Sequence, residues 1–203
     1  MTDHEAALAA LARGEPVVFP TETFYGIGAR ALDAAAVDAV ATLKGRDADK
    51  PIALIVRDAA MLTRVVARVP APAERLIAEL WPGPLTLVLP ARAGLPRPLT
   101  GGGDWIGVRV SSHPIAQRLV AALDEPITAT SANPGGAEPA VDLTAARGYF
   151  GERVGAYLDG GTLAGGLGST VVLVADDAAR VIRRGATPID ALQRVLGATP
   201  IQT

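Results

Sequence analysis

Cysteine is absent from the 203 residues, which excludes disulfides, thiolate metal sites and a cysteine nucleophile and fits a reducing compartment. Histidine is scarce. His4 lies in a polar N-terminal stretch and His113 at a predicted helix start, a separation that gives no support to a histidine-centred metal site or triad. Aromatic residues make up 4%, and Trp81 and Trp105 are read as packing residues. Long apolar runs are missing as well: stretches such as Pro51 to Val56 and Leu85 to Leu89 fall far short of the roughly 20 residues that cross a bilayer. The first fifteen residues carry acidic side chains and no continuous apolar segment, a poor secretory signal. No membrane association and a cytoplasmic location are therefore expected. Neither sign of charge dominates. A net charge of −2 and a pI near 5.7 argue against a strong sequence-independent grip on nucleic acid, which needs many cationic contacts to phosphates. A local basic patch would still allow weak binding of RNA. The acidic residues form no spaced catalytic pair, so a hydrolase has little to recommend it.

Helical spacing and short β-branched runs alternate along the chain, the pattern of an α/β domain. Its length suffices to bury roughly 70% of the surface exposed when unfolded, and no repeat or linker interrupts it, so one domain over 1–203 is expected. Helices are predicted at Glu5 to Ala12, from an Asp33 N-cap to Lys44 with Gly45 as the stop, and at Ala59 to Ala67, Ala73 to Leu80, Pro114 to Leu123, Leu143 to Phe150 and Ile189 to Leu196. Strands are predicted at Val17 to Phe19, Ile52 to Val56, Leu85 to Leu89, Ile106 to Val110, Ile127 to Ala129, Thr170 to Val174 and Arg180 to Arg183. Seven strands suggest one sizeable sheet. The last two are joined too briefly for a helical crossover and should be antiparallel, making the sheet mixed.

Polar and cationic residues are expected just beyond predicted strand ends at Thr21-Glu22-Thr23, Lys44-Gly45-Arg46, Arg109, Ser131-Ala132-Asn133, and Ser169 with Arg183. In open α/β sheets ligands bind at such ends. Lys44 and Arg46 either satisfy the last carbonyls of a helix or turn toward one phosphate chain, with Lys50 as a third cation. Arg109, set in an apolar strand, needs a partner, which is either a structural carboxylate or a bound anion held bidentately. Ser131 to Gly136 is either a plain turn or a cradle of hydroxyl, amide and N–H groups for a phosphate or ribose. The glycines of 165–168 permit close approach of a ligand, although a flexible loop accounts for them equally. Gly26 to Ala31 matches G-x-G-x-x-A but stands too far from its strand for a dinucleotide fingerprint, and Gly168-Ser169-Thr170 lacks the lysine of a P-loop.

Taken together these segments resemble the YrdC-like family of threonylcarbamoyl-AMP synthases. Pro20-Thr21-Glu22-Thr23-Phe24-Tyr25-Gly26-Ile27-Gly28 is similar to its PTETVYGLG opening, Lys44-Gly45-Arg46 to its KGR and Trp81 to Thr86 to its WPGPLT. Val108-Arg109, Ser131-Ala132-Asn133, Ser169 to Val172 and Arg183-Arg184-Gly185 follow in order, so the motif-bearing core spans about 15–185. Some positions depart. Ile55 stands where long-form members carry histidine, Trp105 where some have threonine and Pro139 where a serine contact to ATP is common. Gly135 replaces a serine and Arg184 a proline. The long form's further C-terminal domain is not expected.

The resemblance implies a twisted mixed open sheet with flanking helices and a concave basic face. It also implies a nucleotidyltransferase that joins L-threonine, bicarbonate and ATP, the last with Mg2+, into threonylcarbamoyl-AMP and pyrophosphate. The product would feed a tRNA-modifying threonylcarbamoyl-transfer complex. Lys44, Arg46, Lys50, Ser131, Asn133 and Arg183 are then expected to hold ATP, with Lys44, Arg46 and Arg183 acting in catalysis. Thr23, Arg109 and Ser169 are expected to hold threonine, and no protein metal ligand is expected. Two competing readings are a same-fold RNA-binding or RNA-maturation module and a paralogue acting on another carbamoyl or nucleotide substrate.

Overall fold

The computed structural model describes residues 2–45, 47 and 49–202. In chain order the elements are α1 (Asp3–Ala12), β1 (Val17–Pro20), β2 (Tyr25–Gly28), α2 (Ala34–Lys44), β3 (Leu54–Ile55), α3 (Ala71–Leu80) and β4 (Leu85–Pro90). There follow α4 (Arg97–Thr100), β5 (Trp105–Arg109), α5 (Pro114–Leu123), β6 (Ile127–Thr128), β7 (Thr130–Ser131), α6 (Leu143–Phe150) and β8 (Ala156–Tyr157). The chain finishes with β9 (Thr170–Val174), β10 (Ala179–Arg183), α7 (Ile189–Leu196) and β11 (Ile201–Gln202).

Local chemistry sets the helix ends. The side chains of Thr2, Asp33 and Asp142 accept backbone N–H groups at the starts of α1, α2 and α6, satisfying donors that have no partner inside the helix. Gly45 ends α2 in the left-handed region at φ 55°, where a side chain would be strained. The predicted helix over Ala59 to Ala67 is shorter and tighter, a 3₁₀ segment at Ala60–Arg64.

Two sheets form instead of the expected one. The smaller has the order β7-β2-β1-β8 and the larger β11-β10-β9-β4-β5-β3-β6. β9 and β10 are antiparallel as expected, while β9 runs parallel to β4 and β3 parallel to β5. The single-sheet expectation fails because β1 turns straight back into β2, a Tyr-Gly-Ile-Gly strand whose glycines hide the alternation a strand shows in sequence. β1 is buried throughout and pairs on its other edge with the two-residue β8. The segment 127–131 joins the layers: Ile127–Thr128 pairs with β3 in the larger sheet, and Thr130–Ser131 pairs with β2 in the smaller. Residues 131–133 therefore leave from the junction of the two sheets.

Gly26 and Gly28 belong to β2, away from any helix start, so the apparent dinucleotide pattern is a packing feature. A Cβ on Gly28 would lie 1.9 Å from the Thr128 carbonyl oxygen, a backbone atom. The Gly28→Ala variant must push the two sheets apart, and overpacking of this kind is expected to cost about 3 kcal/mol, a fall in Tm of about 10 °C. Scanning calorimetry tests this; an unchanged Tm would mean that the junction yields freely.

Candidate active site

A cavity of about 660 Å³ opens between the β1–β2 turn, the face of the larger sheet and the loops around 131–139 and 166–169. Its floor follows from strand alternation. Along β5, Trp105, Gly107 and Arg109 line the cavity while Ile106 and Val108 point away and are fully buried. One side of one strand thus carries an aromatic ring, a gap and a cation in that order. A Cβ on Gly107 would crowd the Ala53 and Thr86 side chains at 3.3 and 3.4 Å, so glycine keeps the floor flat. Across the strands, Thr86 pairs with Val171 and Val171 with Arg183, and the β4–β5 register continues to set Arg109 beside Thr86. Arg109, Thr86, Val171 and Arg183 form one row across four strands at the polar end.

Each cation in that row has a built support. Arg109 is 8% exposed and donates from Nη1 to Glu22 Oε1 at 2.5 Å. The other Glu22 oxygen accepts from the Ser111 hydroxyl. Burial pulls the Arg109 guanidinium below the ordinary arginine value; Glu22 opposes this and Arg183 adds to it, yet the group stays protonated at any working pH. Arg183 donates to the Ser169 carbonyl from Nε at 3.2 Å and from Nη2 at 2.8 Å, and from Nη2 to the Ser169 hydroxyl at 3.0 Å. Desolvation lowers its pKa too, although its surface is open to the cavity. Ser169 Oγ also lies 2.9 Å from Thr86 Oγ1. Gly185 allows this arrangement: a Cβ there would sit 2.3 Å from the Gly168 oxygen and 2.4 Å from the Ser169 carbonyl carbon.

The remaining expected residues divide. Thr23 lines the cavity, its hydroxyl 3.2 Å from that of Thr21, and Ser131 lines it from the edge strand β7. Lys44 and Asn133 are buried beneath the 131–133 turn and are not among the cavity-lining residues. Lys44 Nζ donates to the Ser131 and Asn133 carbonyls at 2.6 and 2.5 Å and to Asn133 Oδ1 at 3.3 Å. The Asn133 amide donates to the Pro134 and Ala137 carbonyls. In this arrangement both side chains support the turn that presents Ser131. Lys50 is exposed and pairs with Asp47 at 2.6 Å. Arg46 lies outside the described residues.

The Sua5/YciO/YrdC family pattern, described as telomere recombination, matches residues 9–185. The chain belongs to this family. It is 38% identical to a threonylcarbamoyl-AMP synthase of Pyrococcus abyssi over 91% of this chain and 54% of that protein. It is 40% identical to one of Halorhodospira halophila over 76% of this chain and 81% of that protein. The crystal structure of P. abyssi Sua5 complexed with L-threonine superposes with a TM-score of 0.92 at 35% identity, covering 100% of this chain and 60% of that one. The chain thus spans little more than half of the archaeal relative and most of the bacterial one.

Several cavity residues and their supports were given another role in the sequence, or none. Trp105, read there as packing, is a half-buried cavity residue, whereas Trp81 does pack on the core, its indole N–H on the Leu85 carbonyl. Thr86 came only as the last letter of a motif. Tyr25 has a buried ring whose hydroxyl donates to the Gly161 carbonyl at 2.7 Å and accepts from Gly160 N–H at 2.9 Å. It thereby anchors the glycine-rich loop from which Gly166 and Gly168 reach the cavity. His113 caps α5 by accepting from Ile115 N–H through Nδ1. Burial lowers its pKa, with Glu22 opposing and Arg118 adding.

Proposed function

We propose that this chain is an L-threonylcarbamoyladenylate synthase that converts L-threonine, bicarbonate and ATP into threonylcarbamoyl-AMP, pyrophosphate and water. The observation that carries this reading is the row across β5, β4, β9 and β10. It sets two supported guanidinium groups, Arg109 and Arg183, on one cavity floor with Thr23 and Ser169 beside them. The cavity falls in the size range of small-molecule sites.

The chemistry needs no covalent nucleophile. The neutral amine of threonine takes up bicarbonate to give a carbamate with loss of water; a carbamate oxygen then attacks the α-phosphorus and pyrophosphate leaves. Charge develops on phosphate oxygens, so positioning and fixed cations supply most of the acceleration. Arg109, Thr23 and Ser169 are assigned to threonine, its carboxylate meeting the Arg109 donors. Arg183, Ser131 and the Lys44–Asn133 support beneath it are assigned to the nucleotide side together with Arg46 and Lys50. Magnesium is read as entering on the triphosphate, as part of the substrate; among the described residues no three His, Asp or Glu side chains are grouped to hold a metal. The adenylate would pass to a tRNA-modifying threonylcarbamoyl-transfer complex in the cytoplasm. No helix of the described residues is long and apolar enough to cross a membrane.

Pyrophosphate release by the purified protein with Mg·ATP tests the assignment. Release that requires both threonine and bicarbonate is the expected result. Release indifferent to either would favour a paralogue with another substrate, and RNA binding without any release would favour an RNA-maturation module.

A further inference from the structure

The geometry points to Glu22 as the positioning residue of the Arg109 site, acting together with Ser111. This inference rests on reading that site as the place where the threonine carboxylate is held. Neither Glu22 nor Ser111 lines the cavity, and the side-chain contact by which Glu22 reaches it is the one to Arg109.

A guanidinium offers five N–H donors in a planar fork. Among the described residues Arg109 makes one side-chain hydrogen bond, from Nη1 to Glu22. A long side chain tethered at one donor still swings if its anchor swings, and Glu22 is itself held. Its second oxygen accepts from Ser111 Oγ, while that hydroxyl oxygen accepts the N–H of His113 at 3.2 Å. His113 is the N-cap of α5, and Ser111 is fully buried. The chain of contacts therefore runs from the start of a helix through a serine and a carboxylate to the guanidinium, and ties the plane of Arg109 to rigid elements at both ends. The Glu22 and Arg109 side chains are 13% and 10% exposed, which keeps water from loosening the pair.

The arrangement also sets the charge. Glu22 offsets the Arg109 charge and occupies one of its donors, and the remaining N–H groups of the fork stay directed and available to a carboxylate. The sequence shows Glu22 only inside the Thr-Glu-Thr turn; nothing there indicates that it faces Arg109, 87 positions away.

Threonine-dependent and ATP-dependent thermal shifts of the intact chain test this in wild type, Ser111→Ala and Glu22→Gln. Ser111→Ala keeps the ion pair and is expected to stay folded. The threonine concentration giving a half-maximal shift should rise about 10-fold in Ser111→Ala, as for loss of one hydrogen bond to a charged group, and further in Glu22→Gln. The ATP concentration should stay at the wild-type value in both. Lower melting temperatures with an unaltered threonine response would make the relay a purely structural device and overturn the inference. A stronger threonine response in Glu22→Gln would overturn it as well, by showing that Glu22 competes with the ligand. A wild-type chain that does not respond to threonine would instead remove the reading on which the inference rests.

Discussion

Replacing Arg183 with alanine is expected to lower pyrophosphate release by about 100-fold or more. The side chain stands at the end of β10, just past the register irregularity between Val181 and Arg183. Three hydrogen bonds to Ser169 fix its guanidinium against the cavity wall. Partial burial pulls its pKa below the ordinary arginine value, and a partly desolvated cation acts more strongly on a phosphate than one in bulk solvent. Arg183→Lys keeps the charge but cannot reproduce the fork; its expected loss is about tenfold, between wild type and alanine. The Tm of either variant should move little, because the guanidinium bonds only to Ser169 among the described residues and faces the open cavity. Steady-state rates at saturating substrates decide the point. A wild-type rate in Arg183→Ala would remove this residue from the phosphate side.

How far the sequence discloses such a site depends on how local each signal is. The helix starts at Asp33 and Pro114 and the stop at Gly45 depend on one or two residues, and the structure has them where they were expected. β9 matches residue for residue because Thr-Val-Val-Leu-Val has a strand's composition from end to end. β2, β7 and β8 were missed for the opposite reason: two are only two residues long, and β2 owes its existence to what its glycines lack. The division into two sheets was invisible for the same cause, since it turns on backbone approach at Gly28 and on a strand that changes sheet between Thr128 and Thr130. Site residues follow the same rule. Thr23, Arg109, Ser131, Ser169 and Arg183 were legible as polar groups near strand ends, and they share the cavity. The partners were not: Glu22 for Arg109, Thr86 for Ser169 and the 131–133 carbonyls for Lys44 are long-range contacts that no spacing encodes.

That long-range partner decides what loss of Arg109 would do. Of the two roles the sequence left open for Arg109, the structure shows the ion pair with Glu22, and it also places the guanidinium in the cavity lining, within reach of a bound anion. Arg109→Ala should therefore fail in two separable ways. It leaves Glu22 buried without its cation, a defect that typically costs about 3–5 kcal/mol, or a fall in Tm on the order of 10 °C. It also removes the donors assigned above to the threonine carboxylate, so on that proposal the threonine concentration needed for pyrophosphate release should rise about 100-fold while the ATP requirement changes far less. The double variant Arg109→Ala/Glu22→Ala separates the two effects. Deleting both members of a buried pair leaves no unpaired charge and is often close to neutral, so the double variant should recover most of the lost Tm and none of the threonine response. Recovery of both would show that Arg109 serves only as the counter-ion of Glu22, and that threonine is held elsewhere in the cavity.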